Sequence, residues 1–151
     1  MAKSIIRFIN VVMAGLITGI VIGIWIGFNP NAFSFSTYLE LQQGAIRALN
    51  TLMPLLGLVS IVLTLLSAFL NRYNRPVLIA LLTAAILLFI SGLITKFGNQ
   101  PINAIVMTWN HSEVPSNWTE LRDKWWSLHK IRSSTSLFSF FLIVWAHQRR
   151  D

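Results

Sequence analysis

The 151-residue sequence contains no cysteine, and only 11% of its residues are charged. The missing cysteines exclude disulfide bonds, thiolate metal ligands and thiol redox chemistry. An ordinary soluble domain has about 25% charged residues, whereas 54% of this chain is hydrophobic. Too few polar side chains remain to cover a water-soluble globule, so the composition predicts an integral membrane protein.

Acidic residues are also scarce, with five against twelve lysines and arginines, for a formal net charge of +7. In a soluble protein this charge would suggest nucleic-acid binding. Here the basic residues stand at the ends of apolar runs, where topology and anionic lipid headgroups account for them. We therefore predict membrane lipids as partners and no binding of nucleic acid.

Four apolar runs are long enough to cross a hydrocarbon core of about 30 Å as helices. They cover residues 9–28, 49–70, 76–95 and 131–147. The first is too long for a signal-peptide core, so we expect it to remain in the protein. Because backbone inside a bilayer must satisfy its own hydrogen bonds, these runs predict helices. The predicted fold is all-α, a single up-and-down bundle of four transmembrane helices.

Helix one carries Gly15, Gly19, Gly23 and Gly27 at four-residue spacing. This spacing places the glycines on one smooth face that allows close approach of another helix. We interpret the stripe as a packing face and a possible surface for a homo-oligomer. The alternative is that the groove leaves space for a ligand.

The second and fourth helices are predicted to begin outside the bilayer. Thr37 followed by Glu40 forms a capping-box pattern, and a continuous helix over residues 38–70 would kink at Pro54. Asn117 followed by Glu120 repeats the pattern before the last helix. That helix, over residues 118–148, would be about 46 Å long.

Four spans place both termini and the loop containing Arg72 and Arg75 on one side of the membrane. The basic residues divide evenly between the two sides if Arg132 is counted, so charge alone leaves the orientation open. We assign Lys130 and Arg132 to a site beside His129 rather than to topology. The prediction is then a bacterial inner-membrane protein with both termini in the cytoplasm.

The stretch RDKWWSLHKIR contains the strongest candidate site. Trp125, His129 and Arg132 stand at i, i+4 and i+7 and share one helical face. An arginine is costly to expose to lipid, so this face is predicted to point into the bundle. The alternative is an interfacial belt, in which the tryptophans lie among headgroups while Lys130 and Arg132 extend to phosphates.

The third loop begins with Pro101, Ile102 and Asn103, which open an apolar piece too short to span the bilayer. We predict a short re-entrant or interfacial helix before helix four, with Asn103 at the mouth of the bundle. The alternative role for Asn103 is a helix cap.

Histidines raise the question of a metal. His129 and His147 are 18 residues apart, about 27 Å along a helix, and cannot ligate one ion within a chain. His129 with His111 would need a carboxylate such as Glu113 to complete a shell. We predict no cofactor, with haem or a non-haem metal as the alternative.

The sequence resembles the anthrone-oxygenase-like family of small membrane proteins. The likeness lies in four spans within about 150 residues, in PIN after the third span, and in RDKWWSLHKIR opening the fourth. The family pattern Pro-x-Asn, then Trp-x3-His-x2-Arg, falls on Pro101, Asn103, Trp125, His129 and Arg132. YLELQQGAIRALNTLMP in the second helix is also similar.

The resemblance implies cofactor-free oxygenation of an enolisable aromatic substrate, as in the conversion of anthrones to anthraquinones. We predict that His129 removes a proton and that Arg132 and Asn103 hold the developing enolate oxygen. The predicted substrate-binding residues are Trp125, Gln42 and Gln43. The ligand would be a hydrophobic small molecule. The alternative is a non-catalytic lipid- or quinone-binding protein or an accessory membrane subunit.

Overall fold

The computed structural model describes residues 2–149, and within that range it is all-helical without strands. The elements are α1 (Ala2–Gly27), a 3-10 turn (Pro30–Ala32), α2 (Phe35–Leu49), α3 (Leu52–Leu70), α4 (Arg75–Ile94), a π-helical turn (Thr95–Asn99), α5 (Gln100–Val106) and α6 (Trp118–Gln148). The all-α prediction is confirmed. The predicted limits of the last helix agree with those of α6.

The four long helices pack in a ring in which α1 and α4 each contact both α3 and α6. At one end of the ring, here called the terminal end, Arg7 donates a hydrogen bond to Asn71 at 2.7 Å and Asn10 Nδ2 contacts His147 Nε2 at 3.2 Å. The other, the loop end, carries α2, α5 and the start of α6. Between the ends, small residues such as Ala84 are fully buried and let the backbones approach closely.

Three segments are long and apolar enough to cross a membrane: Lys3–Ala32, Leu52–Leu70 and Arg75–Val106. Large apolar side chains also cover the outside, with Phe8 70% exposed and Ile79 64% exposed. Both features are consistent with an integral membrane protein. Helix α6 is not among the three segments. Charged residues in its first half and serines in its middle lower its hydropathy.

Helices α2 and α3 are separate rather than one kinked helix. The break lies at residues 50 and 51, ahead of Pro54. A proline ring clashes with the carbonyl of the residue four positions earlier, here Asn50, so the backbone breaks there. The predicted cap is also displaced, because Ser34 Oγ accepts from the Thr37 amide at 3.3 Å. Thr37 itself lies in the first turn.

Pro101 does not open a separate half-helix after a loop. Helix α4 continues through the π-helical turn Thr95–Asn99 directly into α5. Proline lacks an N–H and needs room beside the preceding turn, and the wider π turn supplies that room. The third span and the predicted short helix therefore form one helical segment.

The glycine stripe on α1 packs within the chain at only one of its four positions. A Cβ on Gly15 would lie 3.3 Å from the Phe140 ring, whereas one on Gly19, Gly23 or Gly27 would meet nothing within 4 Å. Within the chain, the packing interpretation holds for Gly15 alone. Contact with a second copy through the rest of the stripe stays a prediction.

Candidate functional site

The inner face of α6 carries the candidate site. Trp125, His129 and Arg132 are all buried, with His129 0% exposed and Arg132 9% exposed. His129 contacts the carbonyl of Val21, which lies six residues before the end of α1. Six residues of helix rise about 9 Å, so the site lies well inside the bundle rather than at its surface.

The hydrogen bonds of His129 determine its tautomer. Nε2 lies 3.1 Å from the carbonyl oxygen of Val21, which can only accept, so Nε2 carries the proton. Nδ1 accepts from Arg132 Nε at 3.2 Å and from a terminal guanidinium nitrogen at 2.9 Å. Both ring nitrogens of a neutral imidazole are therefore occupied, and its lone pair holds the guanidinium.

Arg132 is a buried cation without a buried counter-ion. Besides its bonds to His129, it donates to Thr95 Oγ1 at 3.3 Å. A guanidinium has five N–H donors, and two of them take no part in these three hydrogen bonds. Among residues 2–149, no aspartate or glutamate pairs with Arg132.

Asn103 organises an amide cluster next to the arginine. Its Oδ1 accepts from Trp125 Nε1 at 2.8 Å and from Gln42 Nε2 at 3.4 Å. Its Nδ2 donates to Asn50 Oδ1 at 2.9 Å, and Gln100 Nε2 donates to the Asn50 carbonyl at 3.0 Å. The cluster joins α2, α5 and α6 through side chains and fixes the indole of Trp125.

Three aromatic rings stack in parallel behind this cluster. The rings of Trp125 and His129 lie 5.0 Å apart at an angle of 3°, and those of Trp126 and His129 lie 5.5 Å apart at 9°. Phe28 contacts Trp125 edge-on at 6.2 Å. With one ring edge bonded to Val21 and the other to Arg132, the imidazole has little freedom to turn.

Two adjoining cavities reach Arg132. The first, of about 90 Å³, is lined by the polar side chains of Gln42, Asn50, Thr95, Asn103 and Arg132 together with Trp125 and apolar groups of α1, α2 and α3. The second, of about 250 Å³, lies between α3 and α4 and is mostly apolar. Val21, Met53, Pro54, Thr95 and Arg132 line both. No carboxylate lines either one.

The structure brings together five of the six predicted site residues, Gln42, Asn103, Trp125, His129 and Arg132. Gln43 is the exception, because its amide donates to the carbonyls of Val106 and Trp109, both at 3.0 Å. It joins α2 to the end of α5 and lines neither cavity. The geometry gives no support to its predicted role in substrate binding.

His129 also lines neither cavity, because it lies behind Arg132 and Trp125. The other histidines are elsewhere: His111 is exposed beside Ser36, and His147 contacts Asn10. Within residues 2–149, no three histidine, aspartate or glutamate side chains are grouped closely enough to hold one metal ion.

Sequence reasoning missed three side chains of the site, Thr95, Asn50 and Gln100, the last of which donates to the Asn50 carbonyl at 3.0 Å. Thr95 takes a hydrogen bond from Arg132, and Asn50 takes one from Asn103. Thr95 had no sequence signal, because it ends an apolar run like any interfacial threonine. Asn50 had a weak one, since a polar residue four positions before Pro54 marks the helix break.

The comparison with protein families gives one result. Residues 44–142 match the family model described as anthrone oxygenase, which is more than half of the chain. The matched region contains every predicted site residue except Gln42 and Gln43, and it confirms the resemblance found in the sequence. Searches of curated proteins and of solved structures found no match.

Proposed function

The chain belongs to the anthrone oxygenase family, and from this premise we propose that it is a membrane-embedded, cofactor-free oxygenase of flat, enolisable aromatic substrates. The substrate is proposed to bind in the cavity beside Arg132 with its oxygen at the guanidinium. Arg132 is then the group that binds the enolate anion.

The observation that supports this proposal is the buried, uncompensated charge of Arg132. Burying a cation without a counter-ion is costly in the apolar interior of a helix bundle. The cost is offset when an anion enters the cavity and takes the two N–H groups that His129 and Thr95 leave unused. A site with this property is complementary to an anionic intermediate more than to a neutral ground state.

The reaction needs only dioxygen as a second substrate. Transfer of a proton from the methylene carbon of the anthrone to a water molecule gives an enolate, whose oxygen hydrogen-bonds to Arg132. The enolate carbon donates electrons to dioxygen and forms a carbon–oxygen bond, and protonation gives a hydroperoxide. Loss of water from the hydroperoxide leaves the quinone carbonyl. The substrate is oxidised by four electrons and dioxygen is reduced by four, to the new carbonyl oxygen and one water.

The geometry gives His129 a positioning role in this proposal. Its lone pair faces Arg132 and not the cavity, and stacking on Trp125 prevents the ring from tilting. The proton-abstracting role predicted from the sequence requires Arg132 to move its hydrogen bonds to the substrate first, which would uncover Nδ1. In the proposed arrangement His129 holds the guanidinium, and anion binding at Arg132 lowers the pKa of the bound substrate.

The proposed membrane arrangement has four spans, with α6 as the fourth and α5 at the interface. The protein lies in the inner membrane of a bacterium, with both termini in the cytoplasm. Its outer surface contacts lipid, and the glycine stripe of α1 is available for pairing with a second copy. The packing of α6 supports a fourth span, because α6 contacts α1 and α4 as one of the four helices of the ring. Reporter fusions after the C-terminus and near Asn74 should show the same sidedness, opposite to a fusion near Glu113. A mismatch contradicts the four-span arrangement.

The catalytic proposal is tested with purified protein in lipid nanodiscs, supplied with anthrone under air. The rate of anthraquinone formation above the spontaneous rate is expected to fall about 10²–10³-fold in Arg132→Gln, the typical cost of removing a donor from a developing oxyanion. Arg72→Gln, an exposed change at the terminal end, is the matched control and should keep the rate.

Equal rates for wild type and Arg132→Gln would contradict the proposed role of the arginine. If the wild type binds an aromatic anion through Arg132 but forms no anthraquinone, the oxygenase proposal fails and a ligand-binding protein takes its place.

A further inference from the structure

We propose that the cleft between α3 and α4 holds the apolar body of the ligand, so that the binding site consists of a polar compartment at Arg132 and an apolar one that opens to the bilayer. This inference rests on the proposed function, because it uses the same arginine. It adds where the two parts of the ligand lie: the charged end at Arg132 and the apolar body between α3 and α4.

Two glycines stand on the walls of the cleft, one on each helix. Gly57 of α3 and Gly92 of α4 both line the 250 Å³ cavity. A Cβ on either would meet no atom within 4 Å. Gly98, one helical segment further on, is different, since a Cβ there would lie 2.9 Å from Leu128. The two cleft glycines therefore border open space, whereas Gly98 packs directly against Leu128.

The cleft also opens outward. Leu58 and Phe89, on the two walls, are 60% and 55% exposed on the outer surface of the bundle. That surface belongs to segments apolar enough to lie in lipid. A ligand dissolved in the bilayer would reach the cavity between these side chains, without passing through the loops.

The charges of the cleft select the polar end of the ligand. Lys96 lines the outer part and Arg132 the inner part, and neither cavity contains an aspartate or glutamate. Arg132 is the junction, because it lines both cavities. An oxyanion or carboxylate at the junction would lie against the guanidinium while the rings extend between Gly57 and Gly92.

The 90 Å³ compartment alone is small. Binding pockets for drug-sized ligands are typically about 300–1,000 Å³, so the polar compartment fits one ring or a polar end group. A polycyclic ligand needs the cleft as well. One ring and three fused rings should therefore respond differently when the cleft is filled.

The experiment compares two stable carboxylates in nanodiscs: benzoate, with one ring, and anthraquinone-2-carboxylate, with three. Gly57→Phe and Gly92→Phe fill the cleft from opposite walls, and the open space beside each glycine lets the chain fold around the new ring. Each is expected to weaken binding of the three-ring probe at least about tenfold, with benzoate affinity unchanged. Gly44→Phe, on the exposed side of α2, is the matched control and should bind both probes as wild type does.

The outcomes separate the two proposals. If Arg132→Gln abolishes binding of both probes but the glycine variants bind the three-ring probe like wild type, the cleft proposal is wrong and the arginine site stands. If binding does not depend on Arg132, the proposed function fails and the cleft proposal with it. The cleft proposal places benzoate outside the space that the new phenylalanine fills. If the glycine variants keep their thermal midpoints but bind both probes equally weakly, the cleft proposal is therefore also overturned.

Discussion

The two ends of the bundle each contain a buried polar network with a histidine of α6, yet they differ in how fully the central side chain of each network, Asn10 or Arg132, is hydrogen-bonded. At the terminal end, Asn10 Oδ1 accepts from Thr64 at 2.9 Å, while its Nδ2 contacts Ser67 at 3.4 Å and His147 at 3.2 Å. Every hydrogen-bonding group of that amide has a partner. At the loop end, Arg132 has two N–H groups outside its three hydrogen bonds and lines two cavities.

The difference separates a polar residue whose hydrogen bonds all join helices, Asn10, from one with N–H donors to spare, Arg132, at which we propose that a ligand binds. Side-chain hydrogen bonds between membrane helices contribute modestly to stability, about 0.6–2 kcal/mol each. The amide of Asn10 is fully satisfied and accounts for itself in this way, although Nδ1 of the neighbouring His147 has no hydrogen-bond partner among residues 2–149. A buried guanidinium without a carboxylate does not, because its isolated burial is unfavourable. The terminal end is therefore expected to govern stability, and the loop end ligand binding.

The largest expected effect that sharpens this comparison comes from the two histidines. His129→Leu removes the acceptor that holds the guanidinium of Arg132 in place. A displacement of a catalytic group by about 1 Å can lower the rate about 10²-fold, so we expect anthrone turnover to fall by that factor. His129→Gln keeps an acceptor oxygen and should recover much of the loss. His147→Leu, the matched change at the terminal end, should leave turnover per folded molecule unchanged.

The glutamine variant decides between the two roles of His129. A proton acceptor cannot be replaced by an amide, so His129→Gln would then be as slow as His129→Leu. Recovery by glutamine, with the pH profile of the rate unchanged, supports positioning.

The second effect concerns stability. Asn10→Ala leaves His147 Nε2 without its partner, whereas the Thr64 hydroxyl keeps its hydrogen bond to the Ser60 carbonyl at 2.7 Å. Leaving buried polar groups unsatisfied costs about 1–3 kcal/mol each, so we expect the free energy of unfolding to drop by about 2 kcal/mol in detergent. Binding of benzoate per folded molecule should not change. A variant with wild-type stability but weakened benzoate binding would reverse the roles assigned to the two ends.

The sequence predicted the helical architecture and the face of α6 well, because both follow from local periodicity. Trp125, His129 and Arg132 share a face through the 3.6-residue repeat alone, and apolar run length marks the three candidate membrane spans. Side-chain contacts between different helices do not follow from local periodicity. No local pattern places Thr95 at the guanidinium, or turns the lone pair of His129 toward Arg132 and away from a substrate.

The errors at the helix ends have the same origin. Pro54 and Pro101 both signalled an interruption, but the response of the backbone depends on what surrounds it. Ahead of Pro54 the chain breaks, with Asn50 held by Gln100 and Asn103. Ahead of Pro101 the helix widens into a π turn and continues, with Asn99 Nδ2 donating to the Trp125 carbonyl. Tertiary contacts of this kind are not visible in a single sequence.

The smallest predicted effect concerns the hydroxyl of Tyr38, which belongs to neither polar network. Tyr38 is 0% exposed, contacts the Phe28 and Trp118 rings, and its hydroxyl has no hydrogen-bond partner among residues 2–149. Burial raises the pKa of the Tyr38 phenol above its ordinary value, so the group stays neutral at physiological pH.

Tyr38→Phe removes a buried hydroxyl that is not satisfied, which should raise the free energy of unfolding by about 1 kcal/mol. Phe28→Leu, a change to a ring that Tyr38 contacts, should lower it. Chemical unfolding in detergent measures both, and a loss of stability in Tyr38→Phe would show that the hydroxyl has a partner, such as a bound ligand or water, that holds α2 against the loop end.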